Sequence, residues 1–294
     1  MRWNKITIVG VGLLGGSLGL AIKHRRLARR VEGYVRRSAT AVDCRRLKAL
    51  DRATLDLHSA VADADLVIIC TPLAQMCSLV KEMLPSLKRG AIVTDVGSVK
   101  GSVVKELESL VAKAGGHFVG SHPMAGAEKT GVLAARADLF ECAMCVVTPT
   151  KRTNAAALRK VKNFWKSVGG RLLKLTPEIH DLLVSRSSHL PHVVAATLAH
   201  GVLDPKQPLA QAALCANGFR DTTRIASGSP EMWRDIALAN PRNLSRALDR
   251  YVADLRKFQR ALAKSDTKAV TRFFETAKQR RDRWRAGCVS PSPE

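Results

Sequence analysis

The chain has 294 residues, 46% of them hydrophobic, enough for one large packed domain or two ordinary ones and incompatible with global disorder. Lys and Arg number 48 against 25 acids, and the net charge of +23 draws anions of several classes: nucleic acid, acidic lipid or a small polyanionic substrate. Aromatics are only 4%, which argues against a base-stacking surface, and no basic-aromatic motif supports a nucleic-acid site.

The positive excess is dispersed. Residues 1–50 carry twelve Lys/Arg against Glu32 and Asp43, and residues 250–285 carry twelve against Asp254, Asp266, Glu275 and Asp282. Such dispersal reads as a solvated basic surface ahead of a dedicated nucleic-acid site. Arg2 and Lys5 before the apolar run 6–22 imitate a secretory signal, but Gly10, Gly12, Gly15, Gly16 and Gly19 cut that run, unlike the compact helix of a signal. No stretch of about 18 uninterrupted apolar residues occurs, so no membrane span is expected and the expected location is cytoplasmic.

The first strand, Ile6–Gly10, feeds a GxGxxG turn that opens a helix over Leu13–Arg29. In a βαβ unit Gly10 allows the tight turn and Gly12 lets backbone N–H groups approach a pyrophosphate. Gly15 lets helix and strand pack closely, with the phosphates at the helix N-terminus beside Leu13 and Leu14. This context predicts dinucleotide binding; the alternative is a glycine-rich turn that binds nothing. The second strand, Val31–Val35, lacks at its end the acid that holds the ribose 2′-OH of NAD: Val35 takes that place, and Glu32 lies earlier, inside the strand. Arg36, Arg37 and Ser38 follow, two guanidiniums and a hydroxyl suited to a 2′-phosphate. NADP is therefore the expected cofactor, with NAD the second choice; the competing reading makes Arg36 and Arg37 ordinary exposed basics.

Further strands are expected at Leu66–Cys70, Ala91–Asp95, His117–Gly120, Met144–Thr148 and Arg171–Leu175, near-continuous apolar runs of the kind covered on both faces. Thr71, just past the first of them, joins the expected cofactor-binding set. Helical patterns at Ala74–Leu84 and Ser102–Ala114 alternate with the strands, which predicts an α/β Rossmann-type N-terminal domain with a mostly parallel sheet. Seven cysteines, at 44, 70, 77, 142, 145, 215 and 288, form no secreted disulfide framework and fit a reducing compartment. Cys142 and Cys145 make a CxxC pair, but the second pair that a zinc ribbon needs is missing and the run reads as buried strand; both are taken as structural, and no metal is expected.

At Thr176-Pro177-Glu178 a helix begins with Pro at its first position. From there to Ala286 no strand is convincing. Breaks at Asp204–Pro208, Gly218, Gly228–Pro230 and Pro241 leave five or six helices, the last two near 242–263 and 267–285. The expected layout is a dinucleotide-binding domain over 1–175, an all-α C-terminal domain over 176–289 and a disordered tail over 290–294.

Strand 91–95 runs toward Ser98 and strand 117–120 toward His122, at the C-terminal strand ends where open α/β sheets bind ligands. Oxidising an alcohol calls for a base at the hydroxyl as hydride leaves, and imidazole is the natural base near neutral pH. Standing alone, His122 would read first as a satisfied structural histidine.

It does not stand alone. GVGLLGGS (10–17), DVGSVKG (95–101), GSHPMAGAEKTG (120–131), SSHLPH (187–192), FRDTTRIA (219–226) and MWRDI (232–236), in that order, resemble the prephenate/arogenate dehydrogenases of tyrosine biosynthesis. The resemblance implies an NAD(P)-dependent oxidative decarboxylation, of prephenate to 4-hydroxyphenylpyruvate or of arogenate to tyrosine. It also implies His122 as the base at the ring hydroxyl, Ser98 orienting His122 near the nicotinamide, and Arg224 binding a substrate carboxylate. His189 and His192 would face the cleft from the helical domain. Glu128 and Trp233 are matched positions of less defined role, Arg220 is weaker still, and Trp233 reads equally as a core or dimer-interface anchor. A dianionic substrate suits the two-pronged guanidinium clamp. The resemblance further implies a homodimer through the helical domain. The competing assignment is another Rossmann-plus-helical dehydrogenase of the β-hydroxyacid type; those carry a catalytic Lys after the sheet, and SSHLPH holds none.

Overall fold

A computed structural model describes residues 2–127, 129–206 and 208–284. The first half alternates strand and helix: β1 (Trp3–Val9), α1 (Leu13–His24), β2 (Ala28–Tyr34), α2 (Ser38–Arg46), β3 (Arg52–Thr54), α3 (Leu57–Val61), β4 (Leu66–Ile69), α4 (Leu73–Met83), β5 (Ile92–Asp95), α5 (Gly101–Lys113) and β6 (His117–Pro123). It continues through β7 (Met144–Thr148), α6 (Ala155–Ser167) and β8 (Arg171–Lys174). The eight strands form one sheet in the order β3-β2-β1-β4-β5-β6-β7-β8. Every neighbouring pair is parallel except β6 with β7. That exception follows from the connection. Among the described residues between β6 and β7 there is a 3-10 turn, Val132–Ala134, but no crossover helix; this segment lays Val132 and Ala135 close to Gly16 and donates the Arg136 N–H to Ser17 Oγ at 3.0 Å.

Alternation along the strands feeds both faces, as in a doubly wound sheet. Ile6, Ile8, Ile68 and Val119 pack with Leu18 and Ile22 of α1 and with Trp165 of α6. Val9, Val67, Ile69, Val93 and Phe118 pack on the other face with Val61 of α3, Met83 of α4 and Leu107 of α5. His122 shares the parity of Phe118, so it lies on the α5 face.

Local differences from the sequence reading have local causes. The first helix stops at His24 rather than Arg29 because Arg26 adopts φ 54° and turns the chain into β2, which starts at Ala28. The edge strand β3 is three residues, Arg-Ala-Thr, too short and polar to show a period-two pattern. Of the CxxC pair only Cys145 lies in the buried strand; Cys142 is exposed, in a turn at φ 58°. Among the described residues no cluster could hold a metal ion.

The second half is helical: α7 (Pro177–Val184), α8 (Leu190–Val202), α9 (Leu209–Ala213), α10 (Asn217–Thr223), α11 (Pro230–Ala239), α12 (Pro241–Ala263) and α13 (Thr267–Arg283). These are seven helices among the described residues, where the breaks suggested five or six; α9 and α10 are too short to show in the hydrophobic pattern. Thr176 caps α7, its hydroxyl accepting the Ile179 N–H at 3.3 Å, and Pro177 fills the first turn. A π-helical turn, Ser185–His189, joins α7 to α8. No helix among the described residues is long and apolar enough to cross a membrane. The expected tail at 290–294 lies outside the described residues.

Candidate active site

The glycine turn has the geometry that its spacing anticipates. Gly10 sits at φ +91°, where a Cβ would strike the Thr71 methyl at 2.6 Å. At Gly15 a Cβ would stand 2.2 Å from the Gly10 carbonyl oxygen, so α1 packs on the turn only because that side chain is absent. Leu13 and Leu14, half-buried, pack against the core below. Three features fit a dinucleotide phosphate. Space is open where a Gly12 side chain would lie. The mouth of α1 has neither a side-chain cap nor an acid in its first turn. Thr71 Oγ1 is buried without a hydrogen-bond partner among the described residues.

The end of β2 lies beside this turn, Gly10 N–H donating to the Tyr34 carbonyl at 3.0 Å. Glu32 is spent elsewhere: 3% exposed, it pairs with Lys5 Nζ at 3.1 Å and Arg30 Nε at 3.2 Å. Val35 is buried, whereas Arg36, Arg37 and Ser38 are exposed, and no ion pair engages either arginine among the described residues.

His122, at the C-terminal end of β6, is 6% exposed. Its Nδ1 meets Nε2 of His180 at 2.8 Å, and His180 Nδ1 meets Asp181 Oδ1 at 2.8 Å. Asp181 also accepts the Lys100 and Gly101 N–H groups, each at 2.8 Å, capping α5. Behind these, Asp95 pairs with Lys100 Nζ and accepts the N–H groups of Gly97 (2.8 Å) and Ser121 (3.1 Å), while Lys100 Nζ donates to the Ser121 carbonyl at 2.9 Å. Burial, reinforced by the nearby His180, Lys100 and His189, holds the His122 pKa well below its ordinary value. The ring is therefore neutral at neutral pH, as a base must be. The partner at Nδ1 is His180, and no hydrogen bond links Ser98 to His122 among the described residues.

The π turn arises where Leu190 N–H reaches back to the Ser185 carbonyl, five residues away, ahead of Pro191, which has no N–H to offer. Its widened turn buries His189 at 1% exposure. His192, one turn further on, holds the Ser188 carbonyl through Nδ1 at 2.9 Å and stacks on Trp233 with ring centroids 3.5 Å apart. His189 meets the same indole edge-on at 6.3 Å. Burial lowers the His189 pKa to about 4, the opposing pull of Asp181 being smaller; the Ser98 backbone also acts on this ring without completing a hydrogen bond to its buried Nε2. Burial likewise lowers His192, the Ser188 carbonyl opposing it. Asn240 closes the group, its amide donating to the Asp181 carbonyl at 2.8 Å and lying 3.5 Å from His189 Nδ1.

The structure thus gathers His122, His189, His192 and Trp233 into one connected cluster. Arg224, exposed, opens a 3-10 turn (Arg224–Ser227) packed on α8, the helix that carries His192. Arg220 is exposed and lies 3.8 Å from the equally exposed Asp221. Glu128 lies outside the described residues. A separate cavity of about 310 Å³ between α4, α5 and α11, lined by Met76, Leu107 and Leu238 among others, contains none of these groups.

Two family models cover nearly the whole chain: the nucleotide-binding domain of prephenate dehydrogenase matches residues 18–174, and its dimerization domain matches 176–279. The chain belongs to the prephenate dehydrogenase family. It is an oxidoreductase of the prephenate/arogenate dehydrogenase type with a Rossmann-like nucleotide-binding half. It is 38% identical over 282 residues to a prephenate dehydrogenase of Bacillus subtilis, covering 95% of this chain and 76% of that protein. It is 36% identical over 282 residues to a cyclohexadienyl dehydrogenase of Zymomonas mobilis, covering 95% of each. The solved prephenate dehydrogenase of A. aeolicus, in complex with hydroxyphenyl propionate and NAD+, superposes with a TM-score of 0.89 at 31% identity, covering 96% of this chain and 98% of that one.

Sequence reasoning overlooked Asp95, Lys100, His180, Asp181 and Asn240. A signal existed for two of them: His180-Asp181 interrupts the apolar positions of a helix that begins at the junction of the two halves. Both are buried, at 0% and 6%, while Ile179 and Leu183 face outward.

Proposed function

We propose that this chain oxidatively decarboxylates prephenate, arogenate or both, and takes NADP in preference to NAD. The observation that carries the chemistry is His122: a buried, neutral imidazole held through Nδ1, with no partner at Nε2 among the described residues, on the strand edge that also carries the glycine turn. Gly12, the mouth of α1 and Thr71 hold the dinucleotide phosphates. The nicotinamide, when bound, accepts hydride from the ring carbon that bears the hydroxyl. His122 Nε2 accepts a hydrogen bond from that hydroxyl and shares the positive charge that builds on oxygen as hydride departs. The electron pair of the bond to the ring carboxylate passes into the ring as CO2 leaves. The phenol keeps the hydroxyl proton, so no net proton is released, and aromatisation drives the reaction.

Arg224 clamps a substrate carboxylate, and its place on a turn packed against α8, the helix that carries His192, supports this. Residues 1–175 serve the cofactor, and the helical half from 176 onward serves substrate and a second copy of the chain. Uncovered apolar residues on the α12–α13 hairpin, such as Leu255 and Phe274, fit a homodimer, as does the matched dimerization domain. The free described cysteines fit a reducing cytoplasm.

The preference for NADP rests on Arg36 and Arg37, uncommitted beside the turn, and on Glu32, which is locked in a buried ion pair. The NAD+ in the A. aeolicus complex favours the second reading, in which either dinucleotide serves. An assay of NADH or NADPH formation with each substrate and each cofactor tests all of this. Turnover with prephenate or arogenate is expected, faster with NADP. Inactivity in all four combinations overturns the activity, and equal or better kcat/KM with NAD overturns the preference.

A further inference from the structure

We propose that His180 and Asp181 are positioning residues that hold His122 in the one neutral tautomer able to meet a substrate hydroxyl, with its proton on Nδ1 and its lone pair on Nε2. This rests on the reading of His122 as the group that meets the ring hydroxyl. A carboxylate only accepts, and Asp181 already accepts the backbone N–H groups of Lys100 and Gly101. The contact between Asp181 Oδ1 and His180 Nδ1, at 2.8 Å, therefore places a proton on His180 Nδ1. In the neutral form of that ring His180 Nε2 is bare and accepts. The 2.8 Å contact to His122 Nδ1 then requires His122 to donate. The remaining nitrogen of His122 is left as an acceptor, and it is the nitrogen without a partner among the described residues.

The relay spans both halves of the molecule. His122 comes from β6 and the dyad from α7, and Asp181 is anchored on the mouth of α5, so docking of the helical half and tautomer selection depend on the same carboxylate. The charged groups packed around the imidazole pair are Asp181 and Lys100, with Asp95 behind Lys100 and the His189 ring alongside. Lys100 directs its ammonium at Asp95 and the Ser121 carbonyl and so does not compete for either ring nitrogen of His122. As His122 gains positive character during hydride departure, the His180 acceptor at Nδ1 and the Asp181 carboxylate behind it stabilise that charge in place, as the aspartate of a hydrolase triad stabilises its imidazolium without taking up the proton. Neither His180 nor Asp181 meets the substrate.

Two experiments test the relay. In the intact protein labelled with 15N-histidine, the His122 ring, identified by its loss in H122N, is expected to carry its proton on Nδ1 at pH 7. A proton on Nε2 overturns the proposal whatever any variant does. In parallel, H180L is expected to lower kcat about 100-fold or more, with the dinucleotide Kd and substrate KM within about threefold of the parent. H180Q, which keeps an acceptor near the position of His180 Nε2, should recover activity to within about tenfold of the parent and restore its pH profile. H180L within threefold of the parent, or H180L and H180Q equally impaired, overturns the proposal. H122N separates this from the parent reading: if H122N keeps more than about a tenth of the activity, the base assignment itself falls; if H122N is inactive while His122 carries its proton on Nε2, only the relay falls.

Discussion

The two halves of the molecule differ in how much apolar surface they bury. Residues 2–174 form both apolar cores, and strand β4 is buried at every position. Among the described residues of 176–284 the buried hydrophobic side chains reduce to Val184, Ala195, Ile236, Leu244 and Ala247, and α13 buries none of its residues. What that half buries instead is polar: His180, Asp181, Ser185, His189, Thr223 and Asn240. Meanwhile Leu238, Leu255, Leu262 and Phe274 stand in solvent at 42–72% exposure. A unit this poor in apolar burial lacks the main driving force for folding alone. The α/β half holds both apolar clusters, whereas the helical half sends His180 and Asp181 across the seam to β6 and the mouth of α5.

Breaking the seam should have the largest effect. H122N is expected to lower kcat by about 10²–10⁴ with dinucleotide affinity nearly unchanged, measured by steady-state kinetics and fluorescence titration; a loss below about tenfold would remove His122 from the chemistry. Next comes the open hairpin. The pair L255E and F274E should weaken a dimer by roughly 100-fold or more, from the burial lost at two large side chains, leaving the α/β half folded and able to bind the cofactor. Light scattering that shows the parent chain as a monomer, or the variant unchanged in mass, would break the comparison. R224A should raise substrate KM by roughly 10- to 150-fold, the equivalent of about 1.5–3 kcal/mol for a charge-assisted bond. An unchanged KM disposes of the clamp.

Two smaller effects sharpen the contrast. R36A with R37A should cut the ratio of kcat/KM for NADP over NAD about tenfold and leave the NAD value within about twofold. The seam should also be acid-sensitive. His189 has its pKa lowered from 6.5 to about 4, so the unfolded chain binds a proton there that the folded one refuses. The stability involved is present above pH 6.5 and drains away as pH falls toward 4, amounting to about 1.4 kcal/mol by pH 5.5 and about 3 kcal/mol at the limit. His122 acts in the same direction. Denaturant titrations at pH 7.5 and 5.5 measure it, and H189N should flatten the dependence.

Much of the α/β half was legible because its signals are local. GxGxxG before a helix, β-branched runs and a Pro at the first turn of α7 each act within a few residues. The places where the reading slipped, β3 and the short α9 and α10, are those where an element is too brief to repeat its own period. The resemblance implies Ser98 as a residue that orients His122, while the atom that reaches His122 Nδ1 comes from residue 180, 58 positions away.

By itself the sequence determined the doubly wound half, the turn for a dinucleotide and the family, since these depend on residue type at fixed short spacing. Only the tertiary structure decided which groups stand around the imidazole. In α7 it turns His180 and Asp181 inward and Ile179 and Leu183 outward, against the usual sense of an amphipathic helix. The physical reason is that those polar side chains find in β6 and the mouth of α5 the hydrogen-bond partners that make their burial tolerable, and no pattern within one helix specifies partners supplied by another.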